Sequence, residues 1–208
     1  MTAMPENDPV CRALTNLISA SDPKADAAAA AQKLLEGKKR AWDVFEMAAE
    51  DLSAQAGLSP QSAQAIDLVD ELCRYAGVER LGESPKLDSV KALGAYFGAL
   101  LLGRRVEYCY LACMDARHRL IRCVLLGRGT LDSSPVHLRD ISQAALRCGA
   151  VYAALAHNHP GGALVPSAQD VELTRRAKKA LKLIDVSLTE HVIVARSGSV
   201  GIIEGGYV

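Results

Sequence analysis

The sequence has no excess of charge of either sign. Its 24 lysine and arginine residues balance 24 aspartate and glutamate residues, so the formal net charge is zero at pH 7. A chain without net positive charge has no overall attraction to nucleic acid or to an anionic membrane. A local basic patch is still compatible with this balance, but DNA binding lacks its simplest support.

The cysteines lack the spacing of a metal-binding or disulfide framework, because no two of them form a C-x-x-C pair. Cys109 and Cys113, four apart on a predicted strand, share a face, but such a pair is a weak metal signal. Most of the cysteines stand in apolar surroundings, where a thiol serves as a small buried side chain. We therefore expect free thiols and a reducing, cytoplasmic location. The cysteines are Cys11, Cys73, Cys109, Cys113, Cys123 and Cys148.

No apolar run is long enough to cross a bilayer. The most apolar segment, Ala92 to Gly103, falls well short of the roughly 20 residues that a transmembrane helix needs. The N-terminal stretch also lacks the charged start, apolar centre and small-residue cleavage site of a secretory signal. These absences predict a soluble protein without a membrane partner.

The N-terminal region, residues 1–80, is predicted to be a small all-α domain. Asp22-Pro23 has the character of an N-cap and a first-turn proline ahead of the alanine-rich stretch Ala25 to Leu35. Amphipathic segments follow at residues 41–49 and 61–75, where apolar side chains recur at helical spacing. Together these segments predict a compact helical bundle.

Residues 88–208 are predicted to form a mixed α/β domain, which follows a polar linker at residues 81–87. Short apolar segments typical of strands alternate there with segments of helical periodicity. The predicted order is a helix from Ser89 to Leu101, strands at 107–114 and 120–126, a helix at 140–148, a strand at 151–156, a helix at 167–183, and a hairpin of 192–195 with 200–203.

The segment after the strand at 151–156 contains the residue types that a catalytic zinc ion requires. His157 and His159 are two apart on an extended segment, so their side chains point to the same side and can converge on one ion. Catalytic zinc typically takes three His or carboxylate ligands and leaves one position for water. Pro160-Gly161-Gly162 lets the chain turn back, which makes Asp170 the candidate third ligand.

Each part of this pattern also has a purely structural interpretation. An H-x-H pair often stands at a strand end without a function, and Ser167 with Asp170 forms an S-x-x-D pair that begins a helix by itself. The capping role is compatible with catalysis. The specific signal is the combination of H-x-H, seven residues, Ser, two residues and Asp immediately after an apolar strand.

These residues resemble the JAMM (MPN+/JAB) motif, H-x-H-x7-S-x2-D, without a gap. The surrounding sequence is similar to the RadC family of bacterial JAB-domain proteins, and the likeness extends over residues 88–208. It is carried by Gly129-Thr130-Leu131-Asp132-Ser133-Ser134, Val136-His137 and Ala154 to Gly162. The resemblance implies the JAB/MPN fold, a cytidine-deaminase-like mixed sheet flanked by helices.

The resemblance further implies a zinc-dependent metallopeptidase that cleaves an amide or isopeptide bond in a peptide or protein substrate. His157, His159 and Asp170 would hold Zn2+, and Ser167 would help to stabilise the oxyanion. JAMM enzymes also use an upstream glutamate as general base. Glu107, fifty residues before His157, matches that placement. The alternative for Glu107 is a solvated carboxylate at the start of a strand.

A second acid that RadC relatives often carry, in the strand leading to Gly129-Thr130, is absent here. That strand reads Arg122-Cys123-Val124-Leu125. If this position held the base, the protein would be a metal-binding scaffold without turnover. Of the remaining histidines, His118 is predicted in a turn and His137 in a loop. For His191, at a predicted strand start, a structural role is favoured over a role as partner of a ligand.

RadC-like proteins also carry a helix-hairpin-helix-like N-terminal region and a traditional association with DNA repair. Residues 8–80 have a similar layout, but the hairpin Gly57-Leu58-Ser59-Pro60 lacks the second glycine of G-x-G, which lets backbone amides approach a phosphate. The one basic cluster in this region is Lys38-Lys39-Arg40. A DNA-binding or repair-associated accessory module is therefore the second functional hypothesis.

Overall fold

The computed structural model describes residues 8–38, 42–45, 47–129 and 136–208. Lys39 and Arg40 of the basic cluster and the segment from Thr130 to Ser134 lie outside the described residues. The chain forms two compact units, residues 1–74 and 75–208. Within the described ranges, no helix combines the length and apolar character needed to cross a membrane.

The first unit is helical, as the sequence predicts. The side chains of Ile18, Leu34, Leu52 and Ile66 are completely buried and form the centre of its core. The last helix continues beyond the limit of this unit, and it is longer than the 61–75 segment predicted from the sequence. The helices are α1 (Pro9–Ser21), α2 (Ala27–Leu35), α3 (Trp42–Phe45), α4 (Ala49–Ala56) and α5 (Pro60–Glu79).

The predicted start of α2 is wrong by four residues. Asp22 is the C-cap of α1, and its backbone N–H donates to the carbonyl oxygen of Ile18. Asp26 is the N-cap of α2, because its carboxylate accepts the backbone N–H of Ala29 at 3.1 Å. Both aspartates can satisfy an unpaired N–H at a helix start, so residue type alone does not distinguish them.

A three-residue connection joins α4 to α5. Gly57 adopts a left-handed conformation (φ 66°) and ends α4, donating its N–H to the carbonyl oxygen of Ser53 at 2.8 Å. Leu58 is buried at 5% exposure, and α5 begins two residues later with Pro60. A glycine that ends one helix and a proline that opens the next fit the usual preferences of these positions.

The second unit is mixed α/β and contains a five-stranded sheet in the order β2-β1-β3-β4-β5. Strands β3 and β4 are parallel and joined through α8, whereas the other neighbouring pairs are antiparallel. This mixed sheet flanked by helices confirms the predicted fold class. The elements are α6 (Val90–Leu101), β1 (Tyr108–Met114), β2 (Leu120–Arg128), α7 (Leu138–Cys148), β3 (Tyr152–Asn158), α8 (Ala168–Lys182), β4 (Ser187–Ala195) and β5 (Gly198–Gly201).

Helices cover both faces of the sheet. On one face Phe97 of α6 packs in a cluster with Ala154 and Ala156 of β3. On the other face Leu155 packs with residues of α7 and α8. Burial on both faces explains why β3 is a continuous apolar run rather than an alternating one. Alternation along β3 places the side chain of His157 toward α7 and α8 and that of Asn158 toward α6.

Part of the segment predicted as a linker pairs with the β1–β2 hairpin. Lys86 forms an isolated β-bridge with Arg119, and the N–H of Leu87 donates to the carbonyl oxygen of His118 at 2.8 Å. Leu87 is buried at 2% exposure. These contacts attach the segment to the second unit, while the domain boundaries inferred from the sequence stay a prediction.

Candidate metal centre

The predicted ligands lie at the carboxyl end of β3 and in the first turn of α8. His157 is in β3, and His159 follows it, with its N–H donating to the carbonyl oxygen of Val194 at 2.9 Å. This bond keeps the chain extended beside β4, so both rings remain on one face. Gly162, at φ 84°, then closes a turn by donating its N–H to the carbonyl oxygen of His159. The chain thereby returns to Asp170.

The two imidazoles and the carboxylate converge. The Nε2 atom of His157 is 2.9 Å from Nε2 of His159 and 3.1 Å from Oδ1 of Asp170. The Nε2 atom of His159 is 3.5 Å from Oδ2 of Asp170. The potential ligand atoms of these residues all lie within 4.8 Å of one another, so the group could bind a metal ion.

Burial leaves the group accessible from one side. The side chains of His157 and Asp170 are 2% and 0% exposed, whereas that of His159 is 14% exposed. His159 therefore marks the side of the group that faces solvent.

Ser167 and Asp170 form the predicted capping box. The Oδ2 atom of Asp170 accepts the backbone N–H and the hydroxyl of Ser167, each at 2.7 Å, and Ser167 Oγ accepts the N–H of Asp170 at 3.1 Å. These bonds satisfy the first turn of α8. They also fix the orientation of the carboxylate.

The other carboxylate oxygen, Asp170 Oδ1, is buried and accepts no hydrogen bond from any residue that the structure describes. His157 Nε2 lies 3.1 Å away, but without the geometry of a hydrogen bond. A buried carboxylate oxygen without a donor is costly. A cation held between this oxygen and the two imidazoles would satisfy it, so the residues present fit a bound metal.

The charges in the group are complementary. Burial acts to raise the pKa of Asp170, but the rings of His157 and His159 and the hydroxyl of Ser167 outweigh it and hold the pKa well below its usual range. The contact with Asp170 raises the pKa of His159, against the opposing effect of burial. Asp170 is therefore an ionised carboxylate, the form that binds cations.

Hydrogen bonds on the far side of each imidazole define its orientation. The Nδ1 atom of His159 is 2.8 Å from the carbonyl oxygen of Ala163. A carbonyl oxygen only accepts, so His159 carries a hydrogen on Nδ1. In the neutral ring, Nε2 then has a lone pair directed toward the centre of the group, as metal coordination requires.

His191, for which the sequence favours a structural role, contacts His157 directly. Its Nε2 atom is 2.8 Å from His157 Nδ1, and its Nδ1 atom is 2.6 Å from the hydroxyl of Thr174. His191 is completely buried, and burial lowers its pKa well below the usual value. It also lies within β4, opposite Leu155, rather than at a strand start. Thr174 was not recognised in the sequence, although its position four residues after Asp170 places both on one helix face.

Glu107 lies beside the group but is not a member of it. It immediately precedes β1, and the β1–β3 register, in which Cys109 pairs with His157, aligns it with His159. Residues aligned in this way face the same side of a sheet. Its negative charge contributes to raising the pKa of His159, after the larger effects of Asp170 and Ala163.

His118 and His137 are not members of the metal-binding group. His118 is in a turn, with φ 59°, and its ring stacks on Tyr152 at a centroid distance of 4.0 Å. His137 precedes α7 and is exposed, which confirms both predicted positions. The cysteines are free thiols, as expected. The motif residues Asp132, Ser133 and Ser134 lie outside the described residues.

Comparison with known proteins identifies the family. A family model described as RadC-like JAB domain matches residues 87–207, which include the whole metal-binding group. A UPF0758 protein of Bordetella bronchiseptica is 39% identical over 157 residues, which cover 76% of this chain and 70% of the relative. A UPF0758 protein of Herminiimonas arsenicoxydans is 40% identical over 152 residues, which cover 73% of this chain and 68% of the relative. A UPF0758 protein of Burkholderia cenocepacia is 32% identical over 191 residues, which cover 92% of this chain and 74% of the relative. The chain therefore belongs to the RadC family of JAB-domain proteins.

Proposed function

We propose that this protein is a zinc-dependent hydrolase of the JAMM type that cleaves an amide or isopeptide bond in a peptide or protein. The observation that carries the proposal is the convergence of His157, His159 and Asp170, whose potential ligand atoms lie within 4.8 Å of one another. Two imidazoles and a carboxylate are a frequent donor set of catalytic zinc. The unsatisfied Oδ1 atom of Asp170 supports a cation at this position.

In this proposal each side chain has a distinct task. A zinc ion in such a site supplies Lewis acidity toward water and toward a carbonyl oxygen. Glu107, on the same sheet face as His159, accepts a proton at its carboxylate and returns it to the leaving amine. The Ser167 hydroxyl, which donates its one hydrogen to Asp170 Oδ2 in the structure, turns that hydrogen to the oxyanion during attack, an interaction worth about 3 kcal/mol of the barrier in comparable sites.

The position of His159 supports entry of the substrate from its side. The rings of His157 and His191 are buried behind it, and the 14% exposed side chain of His159 borders the solvent. In this proposal a scissile bond that reaches the group passes His159. His159 lies at the end of the sheet where β1 begins, and Glu107 immediately precedes β1. In this proposal the base and the entry side lie together.

Zinc content tests the metal part of the proposal. We expect about one zinc ion per wild-type chain after purification in zinc, and a large loss in His157→Ala and in Asp170→Asn. His137→Ala is the matched control, because His137 is an exposed histidine of the same unit outside the group. Elemental analysis by mass spectrometry gives the ratio. Equal zinc content in all four proteins would exclude the proposed ligands.

Hydrolysis tests the catalytic part. Wild type and Glu107→Gln are compared on a pool of fluorogenic peptide amides and lysine-linked isopeptides. Glu107→Gln is expected to retain zinc and to lose about 100- to 10,000-fold in kcat, as for other general bases. If the wild type binds zinc and cleaves no member of the pool, the result supports a metal-binding scaffold without turnover. If Glu107→Gln is as active as wild type, another residue is the general base.

A further inference from the structure

We propose that His191 and Thr174 are positioning residues that hold His157 in the tautomer whose Nε2 lone pair faces the metal position. The inference rests on the proposed metal binding and extends it to two side chains outside the ligand group. Both are 0% exposed, and they come from different elements, Thr174 from α8 and His191 from β4. The direction of each hydrogen bond can be derived from the groups that contact one another.

The first hydrogen bond of the series is made to a backbone carbonyl. The hydroxyl oxygen of Thr174 is 2.6 Å from the carbonyl oxygen of Asp170. A carbonyl oxygen has no hydrogen to donate, so Thr174 donates its single hydroxyl hydrogen in this bond. At its second contact, 2.6 Å from Nδ1 of His191, the Thr174 oxygen is therefore the acceptor. His191 carries a hydrogen on Nδ1.

The next bond follows from the first. A neutral imidazole with its hydrogen on Nδ1 has a lone pair on Nε2. The Nε2 atom of His191 is 2.8 Å from Nδ1 of His157, and a bond of this length between two nitrogens contains one hydrogen. His157 supplies it. His157 therefore carries a hydrogen on Nδ1, and its own Nε2 atom keeps a lone pair.

That lone pair is directed at the metal-binding group, because His157 Nε2 lies 2.9 Å from His159 Nε2 and 3.1 Å from Asp170 Oδ1. Since the Nε2 atoms of both rings then carry lone pairs, a bound cation would take the position that a shared hydrogen occupies in the His157–His191 contact. The opposite tautomer would place a hydrogen where a cation binds. The series of contacts begins at the backbone of Asp170 and returns to its side chain through Thr174, His191 and His157. One residue thus supplies both a ligand oxygen and the carbonyl that orients another ligand.

Such partners of ligating histidines typically affect metal affinity by about 10- to 100-fold. Thr174→Val removes the hydroxyl and keeps the shape of the side chain, whereas Thr174→Ser retains the hydroxyl. His191→Leu removes both nitrogens, whereas His191→Gln retains an oxygen that can accept from His157. Thr189→Val is the matched control, because the Thr189 hydroxyl also donates to a backbone carbonyl, that of Ala153 at 3.1 Å, and is not hydrogen-bonded to a histidine among the residues that the structure describes.

Zinc dissociation constants are measured by competition with a chelator, and circular dichroism and thermal melting check the fold of each variant. We expect Thr174→Val and His191→Leu to bind zinc about 10- to 100-fold more weakly than wild type. Thr174→Ser, His191→Gln and Thr189→Val should stay within a few-fold. Folded Thr174→Val and His191→Leu proteins with wild-type affinity would overturn the inference.

Nitrogen-15 NMR of the histidine rings tests the tautomers independently of activity and of the variants. In metal-free wild type above pH 8, the hydrogens of His157 and His191 are expected on Nδ1. A hydrogen on Nε2 of His157 would overturn the inference even if zinc binds. If the wild type takes up no zinc, the proposed function fails, and the ring spectra still decide whether the hydrogen bonds run in the derived direction.

Discussion

The side-chain oxygen of Asn158 accepts the backbone N–H of Tyr108 at 2.8 Å. The amide nitrogen of the same side chain donates to the carbonyl oxygen of Val106 at 3.0 Å and to that of Arg104 at 3.3 Å. Asn158 is 3% exposed and stands between the two histidines of the motif. Its three bonds hold the backbone on both sides of Glu107, so one side chain connects the segment of the proposed base to the strand of the ligands.

Replacing Asn158 should separate metal binding from hydrolysis. Asn158→Ala leaves the N–H of Tyr108 and two carbonyl oxygens without their partner, and we expect a loss of about 2 kcal/mol in the free energy of unfolding. Zinc content should persist, because the side chain of Asn158 points to the opposite face of the sheet from that of His157, while kcat falls as the segment of Glu107 loses its support. Urea unfolding, elemental analysis and turnover measure the three effects. An unchanged unfolding midpoint with unchanged turnover would contradict this role.

Ser167 should contribute to stability through the capping box as well as to any chemistry. Ser167→Ala removes the hydroxyl that bonds Asp170 and should lower the free energy of unfolding by about 1 kcal/mol. Ser167→Thr is the control, since threonine keeps a capping hydroxyl and should be nearly neutral. Chemical denaturation of both variants provides the comparison. Equal destabilisation by alanine and threonine would argue against the capping contribution.

The buried carboxylate of Glu190 leaves no space for a side chain at Gly201. Glu190 is 3% exposed and accepts the backbone N–H groups of His191, Ile203 and Glu204 at 2.7, 2.7 and 2.9 Å. A Cβ atom at position 201 would lie 2.5 Å from Glu190 Oε2, and these three bonds keep the carboxylate from moving aside. Gly201→Ala should therefore destabilise the protein by about 1–3 kcal/mol.

The matched glycine for this experiment is Gly98. A Cβ atom there meets no heavy atom within 4 Å, and the residue is inside helix α6. Because alanine favours a helix, Gly98→Ala should stabilise the protein by up to about 1 kcal/mol. Thermal melting of the two variants should thus shift in opposite directions. A shift of the same sign in both would contradict the steric explanation.

The stabilisation of the protein by the turn between β1 and β2 should depend on pH, because it involves the carboxylate of Asp115. The carboxylate accepts the backbone N–H groups of Arg119 and Arg117 at 2.9 and 2.8 Å, and the bond from Arg119 is the largest cause of its lowered pKa. The folded pKa is below the ordinary value of 3.8, so this stabilisation is present above about pH 4 and is lost as the pH falls through the folded pKa.

Asp115→Ala should accordingly destabilise the protein at pH 7 and differ less from wild type near pH 3. Asp115→Asn can retain one accepting oxygen without a charge, so its stability relative to Asp115→Ala should be independent of pH over this range. Unfolding curves at several pH values test both expectations. A constant difference between wild type and Asp115→Ala from pH 7 to pH 3 would contradict the role of the carboxylate.

The cysteines should react at very different rates. Burial raises the pKa of the Cys109 thiol to about 12, with the charges of Asp170 and Glu107 acting in the same direction, whereas Cys73 is exposed. Because the thiolate is the reactive form, iodoacetamide at pH 8 should modify Cys73 first and Cys109 only after unfolding. Peptide mass spectrometry measures both rates, and equal labelling in the native protein would be incompatible with this assignment.

Most elements of the second unit could be predicted because their apolar patterns are regular. The run at 151–156 is apolar throughout, since β3 is buried on both faces, and it was recognised as a strand. The first half of β4 was missed for a physical reason. Glu190 and His191 are buried there, one accepting backbone N–H groups and the other contacting Thr174. Polar residues that are buried with hydrogen-bond partners interrupt the apolar pattern from which a strand is predicted.

The ligand group was predictable for a different reason. His157, His159 and Asp170 lie within one strand-turn-helix segment, so their spacing along the chain implies their proximity. Thr174 and His191 are in contact because β4 pairs in parallel with β3 after the chain has passed through α8. This pairing cannot be predicted from the spacing of residues along the chain. The contact of Asn158 with the segment before β1 spans 50 residues at Tyr108, and it also depends on strand pairing.

The side chains of His157 and Asn158 point to opposite faces of the sheet, so both of their roles depend on the register of β3 against β1 and β4. If β3 shifted by one residue against β1 and β4, every side chain of the strand would exchange faces. The imidazole would then enter the layer beneath α6, and the amide would enter the space beside Asp170. Such a register shift would therefore abolish cation binding and the attachment of the Glu107 segment together, while leaving the composition of the strand unchanged.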